Sequence, residues 1–536
     1  MKRRLALLLA AVLLLGGCAS LPEPDELYEL EEEREIRQPI LPEEGEAPEA
    51  AEPEYPAAFS LPYQPNQTLD PVLCGEGFQE TAASLLYEPL FTLNASFQPE
   101  GVLCESMEWD ETGLVCTLKL REGVTFSDGS ALTARDAAET LQRACESERY
   151  AYRLRNVAAV AANRAGKVIV TLTAPNRGLA ALLDIPIVKW TTAGELVPTG
   201  TGPYRLVNES GSAFLQARED WWQQKRLPVD TIPLVPAKDQ ETALYLFSAR
   251  RAEMLPVDPT GDPSLTSGKA QSTGQPTSVM QFIGFNTAEG RLFADPKLRS
   301  IFSQGIDRET LVHAKLVDLA LAAQFPVSPL SPLYPGGLER AYSEATVEEE
   351  LKKAGQNTGE IRELTLLVSE GNAFRNACAR FIAEELSLLD WDIQVAELPW
   401  EEYLAALEAG EFDLYLGEVR LTADWDLTDL VGTEGALNYG GYTNEATDQL
   451  LLEFAGAEDR TSSAQRLLSN LQANMPIVPV CFKNYAVLTH PGVVEGLSPA
   501  PGNIFRGMEN WTIHLKEAPV EAPEAEPPED AISEAA

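Results

Sequence analysis

Histidine is almost missing from this chain: 536 residues carry three, His313, His490 and His514, far apart in sequence. A structural zinc site or a Ser-His-Asp triad would have to be built from that small stock, and no local pattern supports either. Cysteine is sparse too, with seven residues and no C-x-x-C pair. There is no G-x-S-x-G elbow, no H-E-x-x-H and no G-x-x-x-x-G-K-[ST] loop. Gly200-x-Gly202 lacks the third glycine of a dinucleotide fingerprint and reads as a turn. Positive charge is scarce, 41 Lys and Arg against 82 Asp and Glu, so the chain repels nucleic acid and anionic lipid. No internal repeat is visible. An enzymatic role, a resident cofactor, a bound metal and a polynucleotide partner are therefore not expected.

The chain begins Met-Lys-Arg-Arg, continues through an apolar run from Leu5 to Leu15, and reaches Leu15-Gly16-Gly17-Cys18. That run is about a dozen residues, short of the ~20 a spanning helix needs. Its charged start, apolar middle and small residues before cysteine resemble a bacterial lipobox, which implies lipidation at Cys18 and an extracytoplasmic, membrane-tethered protein. Residues 19–58 are acidic and rich in Pro, Glu and Ala; fourteen acids between 19 and 54 face only Arg34 and Arg37. The last twenty residues, 517–536, hold seven acids and no base. Neither end has an apolar face, so both are expected to stay solvated, the first as a spacer behind the lipid. The remaining cysteines, Cys74, Cys104, Cys116, Cys145, Cys378 and Cys481, allow fifteen complete pairings, and spacing does not choose among them.

Between these ends the pattern mixes both kinds of element. Strands are expected at 59–71, 114–120, 167–173 and 280–286, and helices at 80–91, with Pro89 marking its end, and over 296–318. Thr133 and Asp136 have the spacing of a capping box ahead of a helix. From 361 to 421 strands and helices alternate, with strands at 361–368, 392–398 and 412–421 and helices at 373–389 and 400–409. That rhythm predicts parallel crossover units and an α/β class. The apolar stretch 475–489 is expected to cross back between domains.

Several segments, taken in order, resemble the large solute-binding proteins of ABC importers, the family of oligopeptide- and dipeptide-binding proteins. They are LYEPLF (86–91), LREGVTFSDGSALTARD (120–136), PTGTGPYRL (198–206), FNT (285–287), GIDRETLV (305–312), ADWDLTDL (423–430), GYTNEATDQLL (441–451) and NMPIVPV (474–480). The resemblance implies an α/β, bilobal, periplasmic-binding-protein-like fold with two hinge crossings at FIGFN and PIVPVCF. It implies a first lobe of 59–282 plus 478–516, with an inserted subdomain near 90–195, and a second lobe of 283–477. Tyr87 and Glu88 would sit in a helix, and Trp221-Trp222 would be structural.

By the same resemblance Asp424, within an A-D-W segment after Ala423, falls where peptide binders pair a carboxylate with the ligand's ammonium. The strand before it would offer backbone groups to an extended peptide. The competing reading of Asp424 is a turn cap. Arg420 could meet a ligand carboxylate or simply be exposed, and Trp425 and Trp400 could wall side-chain pockets or pack in the core. The expected function is capture of a peptide and delivery to ABC permease and ATPase subunits, by a monomer. The same fold carrying a nickel chelate or oligosaccharide, or acting as a surface sensor or adhesin, is the alternative.

Overall fold

The computed structural model describes residues 55–516, apart from 262–264, 266–269, 318, 357–360 and 388–390. The expected signal, lipidation and acidic-end assignments therefore fall outside the described residues, except for the last residues of the spacer. Among the described residues no helix is long and apolar enough to cross a membrane.

A seven-stranded sheet organises the molecule. Its order is Met254–Val257, Ile477–Thr489, Gln271–Phe285, Leu414–Arg420, Arg362–Ser369 and Trp391–Leu398, with Ala320–Ala322 also pairing with Ile477–Thr489. The alternation in 361–421 folds as expected: Arg362–Ser369 is parallel to both Trp391–Leu398 and Leu414–Arg420. The two intervening helices cover opposite faces. Cys378, Ile382 and Leu386 of Ala373–Ser387 join one apolar core, and Tyr403 and Leu407 of Trp400–Ala409 join the other. Only the stretches covered on both sides are continuously apolar, Leu366–Val368 and Leu414–Leu416; the edge strand Trp391–Leu398 keeps exposed Gln394 and Glu397.

The two long strands, Gln271–Phe285 and Ile477–Thr489, run antiparallel, but their ladder breaks register between Pro276 and Met280. Proline has no N–H to donate there, and side chains fill the gap. Thr277 Oγ1 donates to the Lys483 carbonyl at 2.6 Å and accepts from Val279 N–H at 3.1 Å. Ser278 Oγ donates to the Leu421 carbonyl at 2.6 Å. On one side of this interruption lie cores built from 59–257 and 486–511; on the other lie cores built from 280–482. Phe97 is the exception, because it comes from the first group and is buried in the second.

Two four-stranded sheets complete the first group. One joins Leu61–Tyr63, Thr231–Pro236, Ser212–Ala217 and Tyr204–Glu209; the other joins Cys104–Trp109, Val115–Leu120, Val168–Leu172 and Val157–Ala162. Helix Ala134–Cys145 packs on the latter and opens with the expected Thr133–Asp136 capping box.

Three expectations change. The first strand is only Leu61–Tyr63. The first helix is Phe78–Ser84, so LYEPLF is not helical. Its carbonyls are claimed instead by distant segments: Leu86 O accepts from Gly202 N–H at 2.9 Å and Glu88 O from Ile187 N–H at 2.9 Å, while the preceding Leu85 O accepts from Tyr204 N–H at 3.2 Å. Gly200 and Gly202 are thus close-approach residues rather than a simple turn. A Cβ on Gly200 would sit 2.1 Å from Leu86 O, and one on Gly202 2.6 Å from Leu85 O. The helix expected over 296–318 is broken in two: Pro296–Gln304 is α, the chain leaves the helical path at 305–307, and helix resumes over Arg308–Thr310 and, as π-helix, Leu311–Lys315. Asp307 caps the second piece by accepting from Thr310 N–H, and Arg308 turns inward to donate to Ser303 O and Pro479 O. All six cysteines among the described residues are free thiols, five of them buried and Cys145 half-buried.

Candidate functional site

Leu414–Arg420 is central to the site. One edge pairs with Gln271–Phe285 along its whole length, from Val279↔Arg420 to Phe285↔Leu414. The other edge meets Arg362–Ser369 only at Leu414 and Tyr415. Beyond Tyr415, no strand covers that edge among the described residues. Gly417 is required locally, since a Cβ would fall 2.5 Å from the Phe282 ring. Trp400, exposed at the start of its helix, stacks on Tyr403 with centroids 5.8 Å apart. The Tyr403 hydroxyl in turn donates to Leu416 O at 2.9 Å, so both rings stand beside the open edge.

Near the interruption of the long strands, polar side chains gather on one face. Lys483 is buried and donates to Asp258 Oδ2 at 2.9 Å, with Glu418 Oε2 at 3.5 Å. Burial opposes both charges here. For Lys483 the hydrogen bond to Asp258 and the Glu418 and Asp258 charges prevail and hold it above its usual range; for Asp258 the hydrogen bonds from Thr260 and Lys483 prevail and hold it below. Gln281 donates through Nε2 to Glu418, while its buried Oε1 has no partner. Arg420, at the strand end, donates to Glu76 Oε1 at 3.3 Å and to the Tyr485 hydroxyl at 3.0 Å.

Asp424 lies in the turn after this strand and is buried. Thr422 Oγ1 donates to its Oδ1 at 2.5 Å, and Asn176 Nδ2 donates to its Oδ2 at 2.7 Å. Its backbone oxygen accepts from Arg460, whose buried Nε has no partner. Trp425 takes a left-handed φ of 58° and is fully buried against Phe97 and Phe482. Phe97 itself has φ 61°, so both bulky partners of this contact pay backbone strain. Ala423 is half-buried in the same turn.

Arg420, Ala423, Asp424 and Trp425 are thus contiguous, whereas Trp400 reaches the strand through Tyr403. Sequence reasoning did not find Lys483, Gln281, Glu418, Asn176 or Phe97. A lysine and a glutamine placed among apolar strand residues were the only available signal. Tyr87 and Glu88 are buried outside any helix. Glu88 accepts from Trp222 Nε1 at 2.7 Å, and Trp221 is buried, so the tryptophan pair is structural.

Two bodies of core joined by long crossing strands, with a strand edge left open beside the junction, define a bilobal solute-binding protein. The chain belongs to the bacterial extracellular solute-binding proteins of family 5, whose middle region matches residues 98–432. It is therefore of a solute-binding type that works with ABC transporters. It is 24% identical over 420 residues to the glutathione-binding protein GsiB of Escherichia coli K12, covering 73% of this chain and 81% of that one. Its fold is similar to that of HbpA2 from Haemophilus parasuis, with TM-score 0.71, 19% identity, and 85% of this chain and 100% of that one covered. It is also similar to the oligopeptide-binding protein AppA from Bacillus subtilis in complex with a nonapeptide, with TM-score 0.57, 21% identity, and 86% and 100% covered.

Proposed function

We propose that this chain is a lipid-anchored extracytoplasmic receptor that captures short peptides between its lobes and passes them to an ABC importer. The single observation that carries the reading is the open edge of Leu414–Arg420, which ends at a buried carboxylate. An extended peptide would pair its backbone with Leu416–Arg420, a mode of recognition indifferent to side-chain identity. Its ammonium would bind Asp424; only in the shortest peptides would the carboxylate reach back to draw Arg420 from Glu76. Trp400 would wall the edge, while Trp425 supports the Asp424 turn from beneath. A charged hydrogen bond in a site closed to water is stronger than one in solvent, which suits a buried carboxylate to this role.

The lobes in this reading are 59–282 plus 478–516 and 283–477, with an insert near 90–195. The interrupted ladder at 276–280 is our candidate for the flexing point. Lipidation at Cys18 would tether the receptor, with 19–58 as its spacer. Two relatives support peptide as the cargo, one named for glutathione, itself a tripeptide, and one whose structure holds a nonapeptide, while a structure of similar fold holds Ni(L-His), the second reading.

Native mass spectrometry of the full chain, solubilised in detergent and never refolded, tests this. A ladder of co-purified masses matching short peptides is expected, diminished in Asp424→Asn. A single non-peptide mass, such as a metal chelate or sugar, would overturn it.

A further inference from the structure

We propose that Asn176 is an internal ligand of Asp424: its side-chain amide occupies the seat of an incoming ammonium and so determines which ligands the site accepts. This rests on Asp424 as the ammonium anchor.

Asn176 lies 248 positions from Asp424 in the chain, in a segment that belongs to a different core. It is nonetheless buried, with Nδ2 2.7 Å from Asp424 Oδ2. The orientation is fixed from its other end, because Asn176 Oδ1 accepts from Gly178 N–H at 2.8 Å, leaving only the N–H end to face the carboxylate. Arg177 N–H donates to Ala455 O at 2.8 Å, docking the backbone beside the same pocket. Gly178 permits that approach. A Cβ there would lie 2.6 Å from Asp424 Cβ and 2.0 Å from Arg460 Nη1. The remaining donors to Asp424, Thr422 Oγ1 and the Asp426 N–H, come from its own turn. Asn176 is therefore the donor that can leave without unfolding that turn.

The chemistry of the exchange sets the selectivity. A buried carboxylate left bare is costly, so the empty site gains from a neutral donor of its own. An ammonium makes a charge-assisted bond roughly twice as strong as a neutral one and can displace the amide. A ligand offering only a neutral N–H gains nothing over Asn176 and is refused. The internal donor thus lowers apparent affinity for all ligands, and only a free amine recovers the difference.

Titration calorimetry of the full chain tests this, using a mixed di- to pentapeptide pool and the same pool N-acetylated. The parent is expected to bind the free-amine pool more tightly than the acetylated one. Asn176→Ala is expected to bind the free-amine pool about tenfold more tightly than the parent, the scale of one hydrogen bond no longer displaced. Its binding of the acetylated pool should tighten as well, because a neutral N–H then meets a carboxylate with no internal donor to displace. Asn176→Ser keeps a short acceptor for the Gly178 N–H but no longer reaches Asp424, so it should tighten free-amine binding too; it carries the test if Asn176→Ala does not fold. If the parent separates the two pools but neither variant gains affinity, the inference is overturned while Asp424 remains the anchor. If the parent binds both pools equally, or neither, the anchor reading falls and takes the inference with it.

Discussion

The two groups of cores meet in two places that are built differently. At the floor, Lys483, Asp258, Glu418 and Gln281 cluster where the long strands cross, and three of the four are carried by neighbouring strands of one sheet. At the side, segments 97 and 152–178 press on 424–429 and 455–460. Arg155 pairs with Asp426 at 2.7 Å and Asp429 at 3.5 Å, the Tyr152 hydroxyl donates to Asp429 at 2.7 Å, and Arg177 pairs with Glu458 at 3.3 Å. The floor is preorganised by continuous backbone, so its geometry is present however the lobes stand. The side contact joins segments with no shared strand, so it exists only while they are together. A bilobal binder needs both: a junction that persists and a contact that can be made and broken.

The largest expected effect falls on the side contact. Phe97→Ala removes a buried aromatic from the outer face of Trp425, whose other contact is Phe482 of the sheet, and should cost about 3 kcal/mol, the low end for such deletions. It should also expand the molecule in small-angle scattering; an unchanged profile would show that Phe97 is merely core. Lys483→Met at the floor leaves Asp258 and Glu418 facing each other without their cation. About 2 kcal/mol of stability should be lost in denaturant titration, below the usual figure for a fully buried pair because both carboxylates are partly exposed. No expansion is expected from it, and an expanded Lys483→Met would erase the distinction between floor and side.

Glu253 and His490, at the far end of Met254–Val257 and Ile477–Thr489 from the floor, give a pH signature. The Glu253 carboxyl is buried with Oε2 unpartnered, and burial pushes it up from 4.5 to about 7. Its folded pKa is raised, so its contribution to stability is full below about 4.5 and lost as pH climbs toward 7. His490, stacked on Phe247 with centroids 4.3 Å apart, is shifted down by burial and then by the Arg250 charge, so it disfavours the fold as pH drops below its ordinary range. Glu253→Gln should therefore gain on the parent by on the order of 2 kcal/mol between pH 5 and pH 8, read from melting curves. A difference independent of pH would refute the assignment. The smallest effect is Arg155→Ala. Its pairs are partly exposed, so stability should change by less than about 1 kcal/mol, and less again in high salt.

Legibility in the sequence followed the range of the interactions. The 361–421 alternation, the Thr133 capping box and the strand at 114–120 were readable because each is decided by neighbours within a few residues. LYEPLF was misread as helix because Gly202 and Ile187, about a hundred positions away, take its carbonyls. The helix expected through GIDRETLV holds from Arg308 onward and is interrupted only at 305–307, where Asp307 caps a fresh start. Within the site, the segment 420–425 was identifiable by resemblance. Lys483, Gln281 and Asn176 were not, because their partners lie at sequence distances no local pattern encodes.

The sequence alone determined the α/β class, the family and the acidic character of the chain. These follow from periodicity, ordered motifs and composition, which are properties of the chain in any conformation. Only the tertiary structure decided that Asp424 is already bonded to Asn176, that Phe97 belongs to the core across the junction, and that one strand edge stays open. Each depends on residues brought together from opposite parts of the chain. Hydrogen bonds and packing act over a few ångströms of space, whatever the distance along the backbone.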